Sequence, residues 1–550
     1  MKKLISIAAV SMMSIGILAG CTMGSDTKED SKTKTAATKE ELKPFGKYEE
    51  TVTYTIGKAT PGIPKLPQGD TYEDNAYTRY LKETLNIQNE DKFEAQSGDN
   101  YNQKVSMAIA SDDIPDIMSV DAATLRQLVD NDMVADLTSV YESSASDRLK
   151  EKYDSYDGRA LDAATFDGKL MALPTTQNAN NPTMLWLRKD WLDKLGLEEP
   201  KTVDDMEKIL TEFVQKDPGG NGEGNTIGLA ISSAIGGLYG SLFVADNIFA
   251  TYNSFPRQWI EEDGKVVYGS ITEETKKGLG KLADWYKKGL IDPQLAVRKS
   301  IEDTIINGQT GAYFGPWWTP DYPLNSAKQK NADIDWQPYI ISEDGSGVIT
   351  AYTQNPASEF YVVKKGFEHP ELLPKLASVL NDKLVYEDYD YEPILDFNKN
   401  GFDGGKPLNI LINYNDATAQ MYKDLKATVD GEKDPQTLSI DDRASFEKIT
   451  GYLADPAKAD ANQWSGYMSR MVAGKLMADT KINDVNPVFF GQTKSMKLKW
   501  ANLVKLEDEA FLKIVTGQKD LNYFDEFVAT WKKTGGSDIT KEVTEAIKEK

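Results

Sequence analysis

Cysteine and histidine each occur once, as Cys21 and His369. One cysteine makes neither an internal disulfide nor a cysteine-rich metal site. One histidine excludes the two-histidine zinc motifs. A Ser–His–Asp site would rest on His369, in Glu368-His369-Pro370-Glu371, and no Gly-x-Ser-x-Gly turn occurs. Chemistry by paired carboxylates alone, as in glycoside hydrolysis, passes this filter. The other notable side chains bind rather than react. Gly315-Pro316-Trp317-Trp318 sets two adjacent indoles after residues that break regular structure. Adjacent residues point to opposite faces of a strand, so the pair cannot fill one core face. Trp317 and Trp318 are therefore candidate flat platforms; the alternative is a pair buried under a loop. Asp321, three residues on, either binds hydroxyls or caps a turn, and the cap is the stronger reading. Trp186 and Arg188 share a strand face by their spacing, and Arg188 offers a rigid fork of donors for hydroxyls or a carboxylate. Asp190 reads as the N-cap of the next helix. Asp121 follows a strand, and either accepts from ligand hydroxyls or caps the helix at 122–128.

The elements positioning these residues alternate between strand and helix signals, as in α/β folds. Residues 51–56 alternate at period 2 and then meet Gly57 and Pro61. Residues 75–85 have helical spacing, with Tyr77, Tyr80, Leu81 and Leu85 on one side; Tyr77 is a weak ligand candidate that fits the core as well. A second helix runs through 105–109, and a short strand covers 117–120. Thr202 with Asp205, and Ser270 with Glu273, offer capping boxes for two later helices. Gly289 suits the C-terminus of the second. Met496, Trp500, Leu503, Phe511 and Ile514 mark a long amphipathic helix closed by Gly517. No repeat of 20–50 residues is visible, which argues against solenoids and propellers.

The 550 residues are 40% hydrophobic, enough for substantial cores. A net charge of −23 makes nucleic acid a poor partner. Lys2 and Lys3 precede an apolar run and then Gly20-Cys21, the plan of an export signal over 1–20. The run is shorter than the ~20 residues of a membrane span. From 22 to about 43 the chain is Ser, Thr, Lys, Asp, Glu and Ala, too polar to bury itself. Residues 21–47 read as a tether.

Six stretches together resemble the family 1 extracellular solute-binding proteins of ABC importers, in their large oligosaccharide-binding lipoprotein branch. They are Ala-Ser-Asp-Asp-Ile-Pro-Asp at 110–116, Asp-Gly-Lys-Leu-Met-Ala-Leu-Pro at 167–174 and Leu-Trp-Leu-Arg-Lys-Asp-Trp-Leu-Asp-Lys-Leu-Gly-Leu at 185–197. Then come Asp-Gly-Lys-Val-Val-Tyr-Gly at 263–269, Gly-Gln-Thr-Gly-Ala-Tyr-Phe-Gly-Pro-Trp-Trp at 308–318 and Phe-Asp-Glu-Phe-Val-Ala-Thr-Trp-Lys-Lys-Thr-Gly-Gly at 524–536. Leu18-Ala19-Gly20-Cys21 is similar to a lipobox, which implies cleavage before Cys21 and acylation of its sulfur. The resemblance implies an α/β, two-lobe periplasmic-binding-protein-like (type II) fold with hinge crossings. The implied division is a first lobe of 48–174 and 341–430 and a second of 175–340 and 431–550.

The same resemblance implies a site. In maltodextrin-type relatives a Trp matching Trp317 stacks on sugar, and an aromatic with Asn or Arg stands where Trp186 and Arg188 do. Gln177 and Asn178 follow the first hinge at Pro174 and face the cleft floor. Alginate-binding relatives carry a calcium loop that falls here on 217–228. Asp217, Asn221 and Asn225 occupy ligand positions, but Gly219 and Gly228 stand where oxygen ligands belong. A glycine-rich turn is the stronger expectation and Ca2+ the weaker; no cofactor is required. The leading expectation is a monomeric, non-catalytic receptor on the extracellular face of the cell membrane. Held there by its lipid alone, it captures an oligosaccharide for the membrane subunits of an ABC permease. The alternatives are a lipoprotein glycoside hydrolase using paired carboxylates, or a receptor for peptides.

Overall fold

Val52–Thr60 is a strand in which Val52, Tyr54 and Ile56 are buried. It pairs in parallel with Ile87–Gln96 on one side and Ile117–Val120 on the other. Gly57 does not end the strand, contrary to the expectation from sequence. It lies at a register shift where Phe93 packs over it, and a Cβ there would stand 2.6 Å from the Phe93 ring. Ala357–Val363 runs antiparallel to Ile117–Val120 and to Leu173–Thr176. The order of this five-stranded sheet is Ile87–Gln96, Val52–Thr60, Ile117–Val120, Ala357–Val363, Leu173–Thr176. The computed structural model describes residues 38–61, 66–177, 182–398 and 405–548. Cys21, the export signal and Asn178 lie outside them.

A second, four-stranded sheet has the order Trp336–Tyr339, Met184–Arg188, Thr310–Gly315, Ile227–Leu229. Gly315 pairs with Met184 and Tyr339 with Leu185, both antiparallel. Each sheet carries its own core. The first joins residues between Tyr48 and Leu173 with residues between Ala357 and Ile412. The second joins residues between Leu185 and Ile341 with the terminal helices Lys494–Val515, Tyr523–Trp531 and Ser537–Lys548. These are two α/β lobes. The chain passes from the first sheet to the second through 177–183 and returns through 340–356.

The helices follow local chemistry. Asn75 caps Ala76–Leu85, and Thr202 with Asp205 forms a reciprocal capping box on Val203–Lys216. The cap of Glu273–Lys287 is Thr272 rather than Ser270. Ser270 instead donates to the buried carboxylate of Glu507. Among the described residues no helix is long and apolar enough to cross a membrane.

Candidate functional site

Ligands of open α/β sheets sit beyond the carboxyl ends of the strands. In the first lobe those ends are Asp121 and Gln177. Asp121 is exposed and its Oδ1 accepts from the Thr124 amide at 2.7 Å, so it caps Ala122–Asp130. Gln177 is exposed, with Nε2 3.2 Å from Ser358 Oγ. In the second lobe the strand Thr310–Gly315 ends at Pro316-Trp317-Trp318. Gly315 is opposite Met184, and Ala357 is opposite Thr176. The crossing 177–183 therefore joins the Gln177 edge to the edge carrying the tryptophans. So short a crossing spans at most about 25 Å.

Trp317 and Trp318 are both half-buried. Their loop is held from beneath by Trp186, whose indole N–H donates to the carbonyls of Gly315 (3.3 Å) and Pro316 (3.2 Å). Gly315 is required by close approach, since a Cβ there would lie 2.6 Å from Thr319 Oγ1. From the side the loop is pinned by Arg470, in Met468–Ala473. Its guanidinium lies 5.4 Å from the Trp317 ring centroid and pairs with Asp321. So Asp321 anchors an ion pair rather than capping a turn. Tyr322, next in the loop, is 47% exposed.

Trp186 and Arg188 do share a strand face, but that face is not the cleft. The sheet is covered on both sides, so all of Met184–Arg188 is buried. Trp186 packs in an apolar cluster with Tyr313, Trp336 and Trp464. Arg188 is 5% exposed and grips Asp190 through Nε (2.7 Å) and Nη2 (2.6 Å), with Trp191 against its guanidinium at 4.4 Å. Asp190 is thus a partner of Arg188, and not a helix cap. Replacing Arg188 with Gln is expected to cost about 1.5 kcal/mol of stability, the low end for a charged hydrogen-bonded pair. Ligand affinity should change less than twofold; denaturant unfolding and calorimetry read the two effects separately. Tyr77 is 1% exposed and is core.

The loop after Val203–Lys216 closes on itself. Asp217 Oδ1 accepts from the Asn221 amide (2.9 Å) and from Thr226 Oγ1 (2.5 Å), and Oδ2 accepts from the Gly222 amide (2.8 Å). Asn221 Nδ2 donates to Thr226 Oγ1, and Asn225 Nδ2 to the Asn221 carbonyl. Calcium needs six to eight oxygens. Of the two carboxylates in the loop, Asp217 is spent on the loop's own amides and hydroxyl, while Glu223 is exposed. Calcium or a chelator is expected to move the melting temperature by less than about 1 °C, read by differential scanning fluorimetry.

A family of bacterial extracellular solute-binding proteins matches residues 75–380. The chain belongs to that family. This solute-binding protein is 23% identical over 390 residues to YtcQ of Bacillus subtilis, a polygalacturonan/rhamnogalacturonan-binding protein, covering 70% of this chain and 71% of that one. It is 24% identical over 462 residues to the lipoprotein LipO of the same organism, covering 80% and 83%. Among solved structures, FusA of S. pneumoniae in complex with kestose aligns at TM-score 0.56 and 18% identity, over 90% of this chain and 99% of that one. An HMO-binding protein of Bifidobacterium longum infantis aligns at 0.59 and 16%, over 91% and 99%. These likenesses show the two-lobe fold.

Arg470 escaped the sequence reading. Its signal was a lone cation within the apolar run Met468-Ser469-Arg470-Met471-Val472-Ala473. A cavity of about 430 Å3 also escaped it, lined by Tyr239, Asp246, Asn247, Phe255, Ile341 and Tyr352. It draws on the second lobe and the crossing segments only, so it lacks the two-sided lining of a site closed between lobes.

Proposed function

We propose that this solute-binding protein captures an oligosaccharide for an ABC importer. It is moored on the outer face of the membrane through acylated Cys21, and it hands the sugar unaltered to the permease subunits. The observation that carries this reading is the half-buried tryptophan pair at the strand-end edge of the second lobe. That edge is one short crossing away from Asp121 and Gln177 on the first. Sugars present apolar C–H faces and hydroxyl edges, so they need flat rings together with planar or carboxylate hydrogen-bonding groups. Trp317 and Trp318 supply the rings, and Asp121, Gln177 and Asp321 the acceptors and donors. A ligand touching both lobes favours the closed arrangement. FusA, of like fold, is known in complex with kestose, the bifidobacterial protein is HMO-binding, and LipO is a lipoprotein by name.

The test is titration calorimetry with a set of oligosaccharides, followed by chromatography of the recovered sugar. Saturable binding with unchanged sugar is the expected result; shortened products would refute it in favour of a glycoside hydrolase. Mass spectrometry of the N-terminal peptide from cells should find Cys21 first and carrying a diacylglycerol.

A further inference from the structure

We infer that the Trp317 platform selects an uncharged sugar ring, with Arg470 as its positioning residue and Asp321 as the group that cancels its charge. This rests on the reading of Trp317 as a sugar platform. Arginine beside an indole invites the opposite conclusion, a site for a uronate, because a free guanidinium matches a carboxylate in shape and charge. The charge of the guanidinium here is already paired, through Nη1. Its Nη1 donates to Asp321 Oδ2 and to Ser469 Oγ (2.5 Å), its carbon lies 5.4 Å from the Trp317 ring centroid, and its Nε is buried without a hydrogen-bond partner among the described residues. Only 17% of its side chain is exposed, against 31% for Asp321.

Carboxylates lie within electrostatic range of both ends of this loop. Asp442, at the start of Ile440–Ala454, lies within electrostatic range of Arg470. Glu302 and Asp303 face Tyr322 at the other end of the same loop. An incoming carboxylate thus meets one cation, already neutralised, among several carboxylates. The whole chain, at −23, adds repulsion at longer range. A hydroxyl suits the same place better. Asp321 Oδ1 has no protein partner among the described residues, and it sits beside a platform made for a C–H face. Arg470 acts through Trp317 and Asp321: it fixes the ring's angle and turns the aspartate from a net charge into a neutral acceptor. Arg188, the other arginine with a claim to a carboxylate, is committed to Asp190 in the core.

The experiment compares kestose, maltotetraose, xylotetraose and lacto-N-tetraose with tetragalacturonate, by thermal shift and calorimetry on the intact protein. The wild type should bind within the neutral group and hold tetragalacturonate at least tenfold more weakly. Asp321→Asn leaves the shape but frees the charge of Arg470. It should move the acid-to-neutral affinity ratio at least fivefold toward the acid, as one unit charge at about 4 Å from a ligand carboxylate does in water. Arg470→Gln should weaken the neutral sugar while lowering the ratio. A merely structural role would change affinities without moving that ratio. Equal or tighter binding of tetragalacturonate by the wild type, or a ratio unmoved by Asp321→Asn, overturns this inference and leaves the receptor standing. Binding of neither class overturns the receptor, and the inference with it.

Discussion

Replacing Arg257 with Gln should destabilise the second lobe by about 3–5 kcal/mol, the usual cost of removing one partner from a buried ion pair. Glu507 lies on Lys494–Val515 and is fully buried. Its carboxylate accepts from Tyr268 Oη at 2.9 Å, Ser270 Oγ at 3.0 Å and Arg257 Nε at 3.2 Å. Arg257 is its only cationic partner among the described residues, and it also holds Asp508 on the same helix. These bonds fasten the helix Lys494–Val515 to the loop and strand at 257–270, some 240 residues earlier in the chain. Without Arg257 the charge stays buried and uncompensated. Denaturant unfolding, followed by the fluorescence of Trp259, Trp500 and Trp531 around this network, reads the loss. Adding Glu507→Gln to the variant should recover at least half of it, because a neutral amide can keep hydrogen bonds without the charge.

The same network predicts a pH dependence. Burial raises the Glu507 carboxyl above the ordinary carboxylate range, and the Arg257 charge and the hydroxyl donors pull it partly back. A carboxyl raised on folding favours the folded state below its unfolded value, and that contribution is lost as pH rises through the folded value. Removing Arg257 raises the folded value further. The variant's deficit should therefore be larger at neutral pH, where the buried carboxyl carries its charge, than in acid, where it is protonated. A deficit independent of pH would show that the lost energy is packing rather than charge.

Trp317→Ala should weaken oligosaccharide binding by about 2 kcal/mol or more, roughly thirtyfold, combining lost apolar contact with lost ring geometry. The effect on stability should be smaller, since Trp317 is half-buried and Trp186 would still hold the Gly315 and Pro316 carbonyls. Trp186→Ala reverses the pattern. It empties a fully buried site beneath the loop, at the 3–5 kcal/mol typical of a core aromatic. Calorimetry and unfolding on the two variants separate the ring that meets ligand from the ring that supports it. Unchanged affinity in Trp317→Ala removes that residue from the site.

Much of this molecule is readable from its residues alone. The alternation at 51–56 marks a strand, Thr202 and Asp205 mark a helix start, and the scarcity of Cys and His removes most catalytic and metal chemistry. The six family stretches carry the two-lobe class. These are local or compositional facts, set by neighbours a few residues apart. Tertiary structure decided which aromatic residues face outward. A period-2 pattern tells which side of a strand a residue takes, but not whether another layer covers that side. Trp186 and Arg188 took the same side, and Tyr313, Trp336 and Trp464 cover it. Likewise Asp321 reads as a turn cap until Arg470, 149 residues on, folds against it. The sequence spacing of the 217–228 loop resembles a metal site, yet Asp217 turns inward to the loop's own amides. Contacts between segments distant in sequence assign each polar or aromatic group to the core or to the cleft, because burial depends on what the rest of the chain brings alongside.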